Sequence, residues 1–176
     1  MILLEFTTSN SSWRYYTTPM GDAQCGYNEA NIQWTGDRWL CVARTSKNQL
    51  YHAYSFDGLS WSTPKGTSYA LGHAPYIAVL ETGLGTVNMF CVYRGERGFL
   101  RGGLATYNPS MDSFWCEQSI LYTSQGRGGG DSGYASVIRF SNASVGFVNY
   151  DVIDCCGSAG CAQMRGLITW QDWVKA

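Results

Sequence analysis

The stretch Ser55–Trp61 reads SFDGLSW and directly follows LYHAY, a run of strand composition. An Asp in a tight turn accepts the backbone N–H groups just ahead of it, and Gly58 supplies a φ that other residues resist. Ser55 adds a hydroxyl acceptor, and Trp61 packs its indole between neighbouring layers while keeping a donor to offer. Ser55, Asp57, Gly58 and Trp61 are therefore read as a structural staple on an outer rim, away from any reacting group.

The turn recurs. Aligned on Trp, LLEFTTSNSSW ends at Trp13, LYHAYSFDGLSW at Trp61, LRGGLATYNPSMDSFW at Trp115 and MRGLITWQDW at Trp173. A spacing of roughly 50 residues is that of propeller blades. Ahead of each of the last three lies a short strand opened by Gly with an aromatic or His (GYNEANIQW, GHAPYIAVL, GYASVIRF). A fuller apolar strand follows (DRWLCVAR, TVNMFCVYR, SVGFVNYD), joined by Gly/Asn/Ser turns of hairpin type. Each unit reads as a four-stranded antiparallel meander, and helical periodicity is absent. An isolated meander leaves one face bare, and radial stacking covers it.

The expected fold is all-β: a single partial β-propeller over 1–176. It divides into a half blade (1–23) and three blades (24–66, 67–122, 123–176), part of a ring of about six. Three and a half blades do not close, so an upstream segment or a second chain is expected to complete the ring.

Charged residues make up 14% of the chain and the net charge is -1, so no basic field exists to attract nucleic acid. The longest apolar runs are strand-sized, which predicts no membrane span, and MILLEF lacks the basic n-region of a signal peptide. Of seven cysteines, Cys41 and Cys91 lie in apolar strands and are read as buried free thiols. Cys155, Cys156 and Cys161 in DCCGSAGC are read as a disulfide or inert loop thiols, because three thiolates in that pattern do not make a tetrahedral metal site. No metal and no cofactor is expected.

SFDGLSW resembles the Asp-box of sialidases (neuraminidases) and related propellers, one residue shorter than its usual form. The copy SMDSFW keeps Ser110, Asp112 and Trp115 without the Gly. The polar residues on inner strands extend the likeness. Glu29 lies in NEANI, Arg44 ends CVAR, Arg101 opens LRGGLATY with Arg94 and Arg97 as rivals, and Tyr134 lies in DSGYASV, three residues after Asp131.

In type and order this set resembles the sialidase site. The resemblance implies Tyr134 as nucleophile, Glu29 as the base taking its proton, and Arg44 with Arg101 (or Arg94) gripping a carboxylate. Asp131 is a loop cap or pocket acid, and Asp151 stands where the family has a late Glu. A sialic acid carries its carboxylate on the anomeric carbon, so a neutral phenol activated by Glu avoids charge repulsion. Guanidinium forks bind planar carboxylates bidentately.

The likeness covers the C-terminal half of that fold. No counterpart of the family's acid/base Asp or first Arg precedes Glu29; Arg14 and Asp22 lie in an outer strand and its loop. The isolated chain is thus expected to be inactive. The implied partner is a glycan ending in an acidic sugar, met at the cell surface or outside cells. The alternative is a non-catalytic glycan-binding or structural propeller, since an Asp-box by itself specifies no chemistry.

Overall fold

The computed structural model describes residues 3–7, 9, 11–17, 19–21, 25–47, 49–83, 85–95, 99–122, 134–141, 144–153 and 161–167. These residues form strands and turns with no helix. In chain order the strands are β1 (Leu3–Thr7), β2 (Ser12–Thr17), β3 (Asn28–Trp34), β4 (Trp39–Arg44), β5 (Gln49–Ser55), β6 (Lys65–Leu71) and β7 (His73–Thr82). There follow β8 (Val87–Arg94), β9 (Leu100–Asn108), β10 (Ser113–Cys116), β11 (Ser119–Tyr122), β12 (Ser136–Ser141), β13 (Ser144–Ile153) and β14 (Cys161–Leu167).

Hydrogen bonding runs antiparallel along β3-β4-β5-β6 and along β7-β8-β9-β10, with β11 added to β9. A parallel pairing of Trp115 with Ser68 links β10 to β6. β12-β13-β14 and β1-β2 make two further antiparallel sheets.

Side-chain alternation along β4 explains how the sheets stack. Leu40 and Val42 face the second sheet and pack with Leu50 against Ile77, Met89, Cys91, Tyr93, Tyr107 and Phe114. Cys41 and Ala43 face the other way and pack with Met20, Tyr27, Ala53 and Trp61. β8 repeats the device: its opposite face, Phe90 and Val92, meets Ala135, Val137, Val145 and Phe147 of the third sheet. Both strands are buried on two sides, which is why their sequences are continuous apolar runs. Each such side chain contributes about 1.5–3 kcal/mol on burial.

Along one side of the stacked sheets β3 lies beside β7, and β7 beside β12. Their N-terminal ends and the C-terminal ends of β4 and β8 share one end of the stack, since Asn28 pairs with Arg44 and His73 with Arg94. The opposite ends are the β3–β4 and β7–β8 turns.

Two details depart from the sequence expectation. Trp61 lies in the connection ahead of β6, and β6 itself runs across position 66, where one repeat unit was expected to end. In β9, Gly102 and Gly103 have φ of 141° and 146°, and a Cβ on Gly102 would stand 1.9 Å from the Cys91 carbonyl oxygen. Only glycine lets β9 press so closely on β8.

Candidate functional site

A bulge between Asn28 and Ala30 opens β3, and within it Glu29 has a φ of 45°. A matching irregularity between His73 and Tyr76 opens β7, where Ala74 has a φ of 46°. Positive φ is costly for residues with a Cβ and persists where surrounding contacts hold it. Here the contacts are the two residues' own: the Ala74 N–H donates to Glu29 Oε2 at 3.1 Å.

Glu29 is the hub. Arg44 Nη1 donates to the same Oε2 at 2.9 Å, and the Tyr134 hydroxyl donates to Oε1. Burial raises the Glu29 carboxyl, but the hydrogen bonds from Tyr134, Arg44 and the Ala74 N–H together hold it below the usual carboxylate range. It is therefore an ionised acceptor at neutral pH. Tyr134, just ahead of β12, is half exposed, so its hydroxyl meets Glu29 at a surface open to solvent.

Arg94 completes the cluster from the end of β8. Its guanidinium carbon lies 5.2 Å from the centroid of the Tyr134 ring, a cation–π distance, and its Nη2 lies 3.3 Å from His73 Nδ1. A cleft of about 270 Å³ opens beside Glu29 and Tyr134, lined by these two with Asn31, Ala74, Pro75 and Ser136 among others. Among the described residues, the Arg44 guanidinium stands against Glu29 and that of Arg94 against the Tyr134 ring.

Of the residues picked from sequence, Glu29, Arg44, Arg94 and Tyr134 come together. Arg101 does not join them. In the β8–β9 register Arg101 pairs with Tyr93 while Arg94 pairs with Leu100, so the two arginines emerge on opposite faces of one sheet. Arg101 lies instead with its stem against Gly95, and its buried Nε has no hydrogen-bond partner. Asp131, Arg97 and the side chain of Asp151 lie outside the described residues, as do Asp22, the side chain of Arg14 and the cysteines at 155 and 156. Among the described residues no group of His, Cys, Asp and Glu has the geometry of a metal site. Cys41 and Cys91 are buried free thiols, and burial pushes the Cys41 thiol up to about 12.

The turn after β5 has the contacts of a staple. Asp57 Oδ1 accepts from the Leu59 and Ser60 N–H groups, each at 2.8 Å, and from the Ser55 hydroxyl at 3.0 Å. The Gly58 N–H donates to Ser55 Oγ at 2.8 Å, and Trp61 Nε1 donates to the Gly58 carbonyl at 3.2 Å. The backbone N–H bonds of Ser60 and Leu59 lower the Asp57 carboxyl to about 2.

The second copy is a correction. The N–H groups of Ser110 and Met111 donate to Asn108, not Asp112. Asp112, with no Gly to relax its turn and a φ of 46°, directs its carboxylate across to His52 (3.3 Å) and Lys65 (2.7 Å) in the neighbouring sheet. Trp115 also differs from Trp61: alternation along β10 turns Phe114 and Cys116 inward and leaves Trp115 45% exposed.

Sequence reasoning missed His73 and Ala74. The signal for His73 was present, since GHAPY aligns with GYNEA and GYASV and this is one of two histidines in the chain. It was read as a strand opener only.

Among solved structures, the chain is similar to a protein of unknown function from Dyadobacter fermentans DSM 18053, with TM-score 0.66, 20% identity, and 94% of this chain aligned to 44% of that one. It is also similar to a thermostable family-43 glycoside hydrolase, with TM-score 0.54, 15% identity, and 86% of this chain aligned to 51% of that one. The chain thus spans about half the length of these structures, or less. No family model matches the sequence, and no curated protein matches it. At such identities the likeness speaks for the fold alone, an all-β architecture that a glycoside hydrolase also uses.

Proposed function

We propose that the chain is part of a β-propeller glycoside hydrolase of sialidase type, acting on glycans that end in an acidic sugar. The observation that carries this reading is the hydrogen bond from the Tyr134 hydroxyl to the ionised Glu29 carboxylate at the mouth of a cleft. A phenol paired with a carboxylate suits an anomeric carbon that itself bears a carboxylate. Tyr134 oxygen attacks that carbon, its proton passes to Glu29, and the glycosidic bond breaks as the aglycone oxygen leaves. Water then hydrolyses the glycosyl–tyrosine bond. Arg94 faces the substrate carboxylate, and Arg44 holds Glu29 in place. The acid that protonates the leaving group is assigned to no described residue.

The propeller reading draws support from face-to-face stacking of the sheets and from β3, β7 and β12 lying side by side. Four repeat units, one of them a half blade, then belong to a ring of about six, completed by an upstream segment or a second chain. Substrates of this class place the activity outside cells or at their surface.

A second reading, a glycan-binding propeller without catalysis, is favoured by one contact: Arg44 is already ion-paired with Glu29.

A fluorogenic sialoside assay on the full-length protein tests the first reading, followed by mass spectrometry of the rapidly quenched reaction. Turnover with a glycosyl adduct on the peptide containing Tyr134 supports it. Binding of the sugar with no turnover and no adduct supports the second.

A further inference from the structure

We propose that His73, as a neutral imidazole, is a positioning residue that holds Arg94 over the Tyr134 ring, so that carboxylate recognition beside Tyr134 weakens as His73 takes up a proton. This rests on the proposed function, in which Arg94 meets the substrate carboxylate.

The geometry leaves one arrangement of protons. Arg94 Nη2 lies 3.3 Å from His73 Nδ1, and a guanidinium has only donors. Nδ1 must therefore be the acceptor, and a neutral His73 carries its proton on Nε2. Protonation puts a donor against a donor and removes the contact. Among the described residues, the charged groups acting on His73 are Glu29 from β3, Arg44 from β4 and Arg94 from β8. Burial, then Arg44 and Arg94, disfavour the imidazolium, and Glu29 opposes them less strongly, so the His73 pKa lies below its ordinary value.

Arg94 in turn lies over the Tyr134 ring. A chain of contacts thus runs from His73 through Arg94 to the residue proposed to react. The arginine side chain has many rotamers, and an acceptor that fixes one lowers the entropy cost of gripping a ligand. His73 opens β7 through its pairing with Arg94, so the backbone that sets the bulge also sets the acceptor.

The sign of the pH effect separates positioning from simple charge. An imidazolium acting only as a point charge would strengthen anion binding in acid. A positioning residue weakens it.

The test uses the full-length protein with nitrogen-15-labelled histidine, His73 being assigned by the signal lost in His73→Gln. The expected result is an Nε2–H tautomer that titrates below about pH 6.5, with the Arg94 side-chain signals moving along the same curve. An Nδ1–H tautomer, or Arg94 signals indifferent to the titration, overturns the proposal.

N-acetylneuraminic acid is then titrated in by calorimetry at about pH 7.5 and about pH 5. Wild-type affinity is expected to fall by about tenfold in acid, the scale of one charge-assisted hydrogen bond. His73→Gln, whose amide oxygen can accept from Arg94, should bind more tightly than His73→Ala and show a flat profile. Tighter wild-type binding in acid, or equal profiles in wild type and His73→Gln, overturns the positioning role. If the sugar binds at neither pH, the proposed function fails, and the tautomer and Arg94 signals alone decide the role of His73.

Discussion

Tyr134 donates its hydroxyl hydrogen to Glu29 across 105 residues of sequence. The two meet because β3 and β12 both pack beside β7, whose Ala74 N–H donates to Glu29. Removing either partner has consequences that differ.

Tyr134→Phe keeps the ring under Arg94 and deletes only the hydroxyl. Sialoside hydrolysis by the full-length protein should fall by at least ~10²–10⁴-fold, the range for losing a positioned proton-transfer group, with sugar affinity changed little. Steady-state kinetics with a matched binding titration checks this. Activity within a few-fold of wild type removes Tyr134 from the chemistry.

Glu29→Gln abolishes the charge that pairs with Arg44 and that, in the proposed mechanism, receives the tyrosine proton. Turnover should fall by ~10²–10⁴-fold. Thermal stability should fall too, since a half-buried guanidinium loses its counter-ion. A variant as active as wild type would contradict the assignment of Glu29 as base.

Ser55→Ala leaves the buried Gly58 N–H without its acceptor and costs about 1–3 kcal/mol. Denaturant unfolding measures the loss, and sugar binding should be unaffected because the turn is remote from the cleft. A stability unchanged within error would mean that the staple holds little.

Stability should decline as pH falls below about 6.5. Burial holds buried His52 below its ordinary pKa, with Asp112 opposing, and His73 is lowered as well. The unfolded chain therefore binds protons that the native state refuses, and stability rises with pH through that window. A second decline is expected from 3.8 down to about 2, as Asp57 loses the advantage of its depressed pKa. Unfolding midpoints measured from neutral pH downward check both; a midpoint that rises between pH about 7 and about 5 runs against the first.

Gly102→Ala should destabilise the fold by well over ~1 kcal/mol, because a Cβ there would overlap the Cys91 carbonyl oxygen. Unchanged unfolding midpoints would mean that β8 and β9 can separate locally at no cost.

Much of the architecture was legible along the chain. Alternation and apolar runs are local signals, and Gly26, Gly58 and Gly102 sit where the backbone needs a positive φ. Glu29, Arg44 and Tyr134 stood out for the same reason: a charged or phenolic group at the mouth of an inner strand has an unusual address. Asp112 misleads because the same letters, Ser-x-Asp ahead of a Trp, serve two purposes. When Gly is missing and Asn108 takes over the turn's N–H groups, the Asp is released to a neighbour that no local pattern specifies.

The sequence by itself determined an all-β chain of repeated strand units, because side-chain period and turn chemistry act over a few residues. Only the tertiary structure shows that Arg94, and not Arg101, lies against Tyr134. Strand register is a non-local property in which a shift of one residue turns a side chain to the opposite face. The pairing of Arg94 with Leu100 sends one arginine toward Tyr134 and the other away from it. The partnership of His73 with Arg94 follows from that same register, since neither residue carries any mark of the other until β7 and β8 are laid side by side.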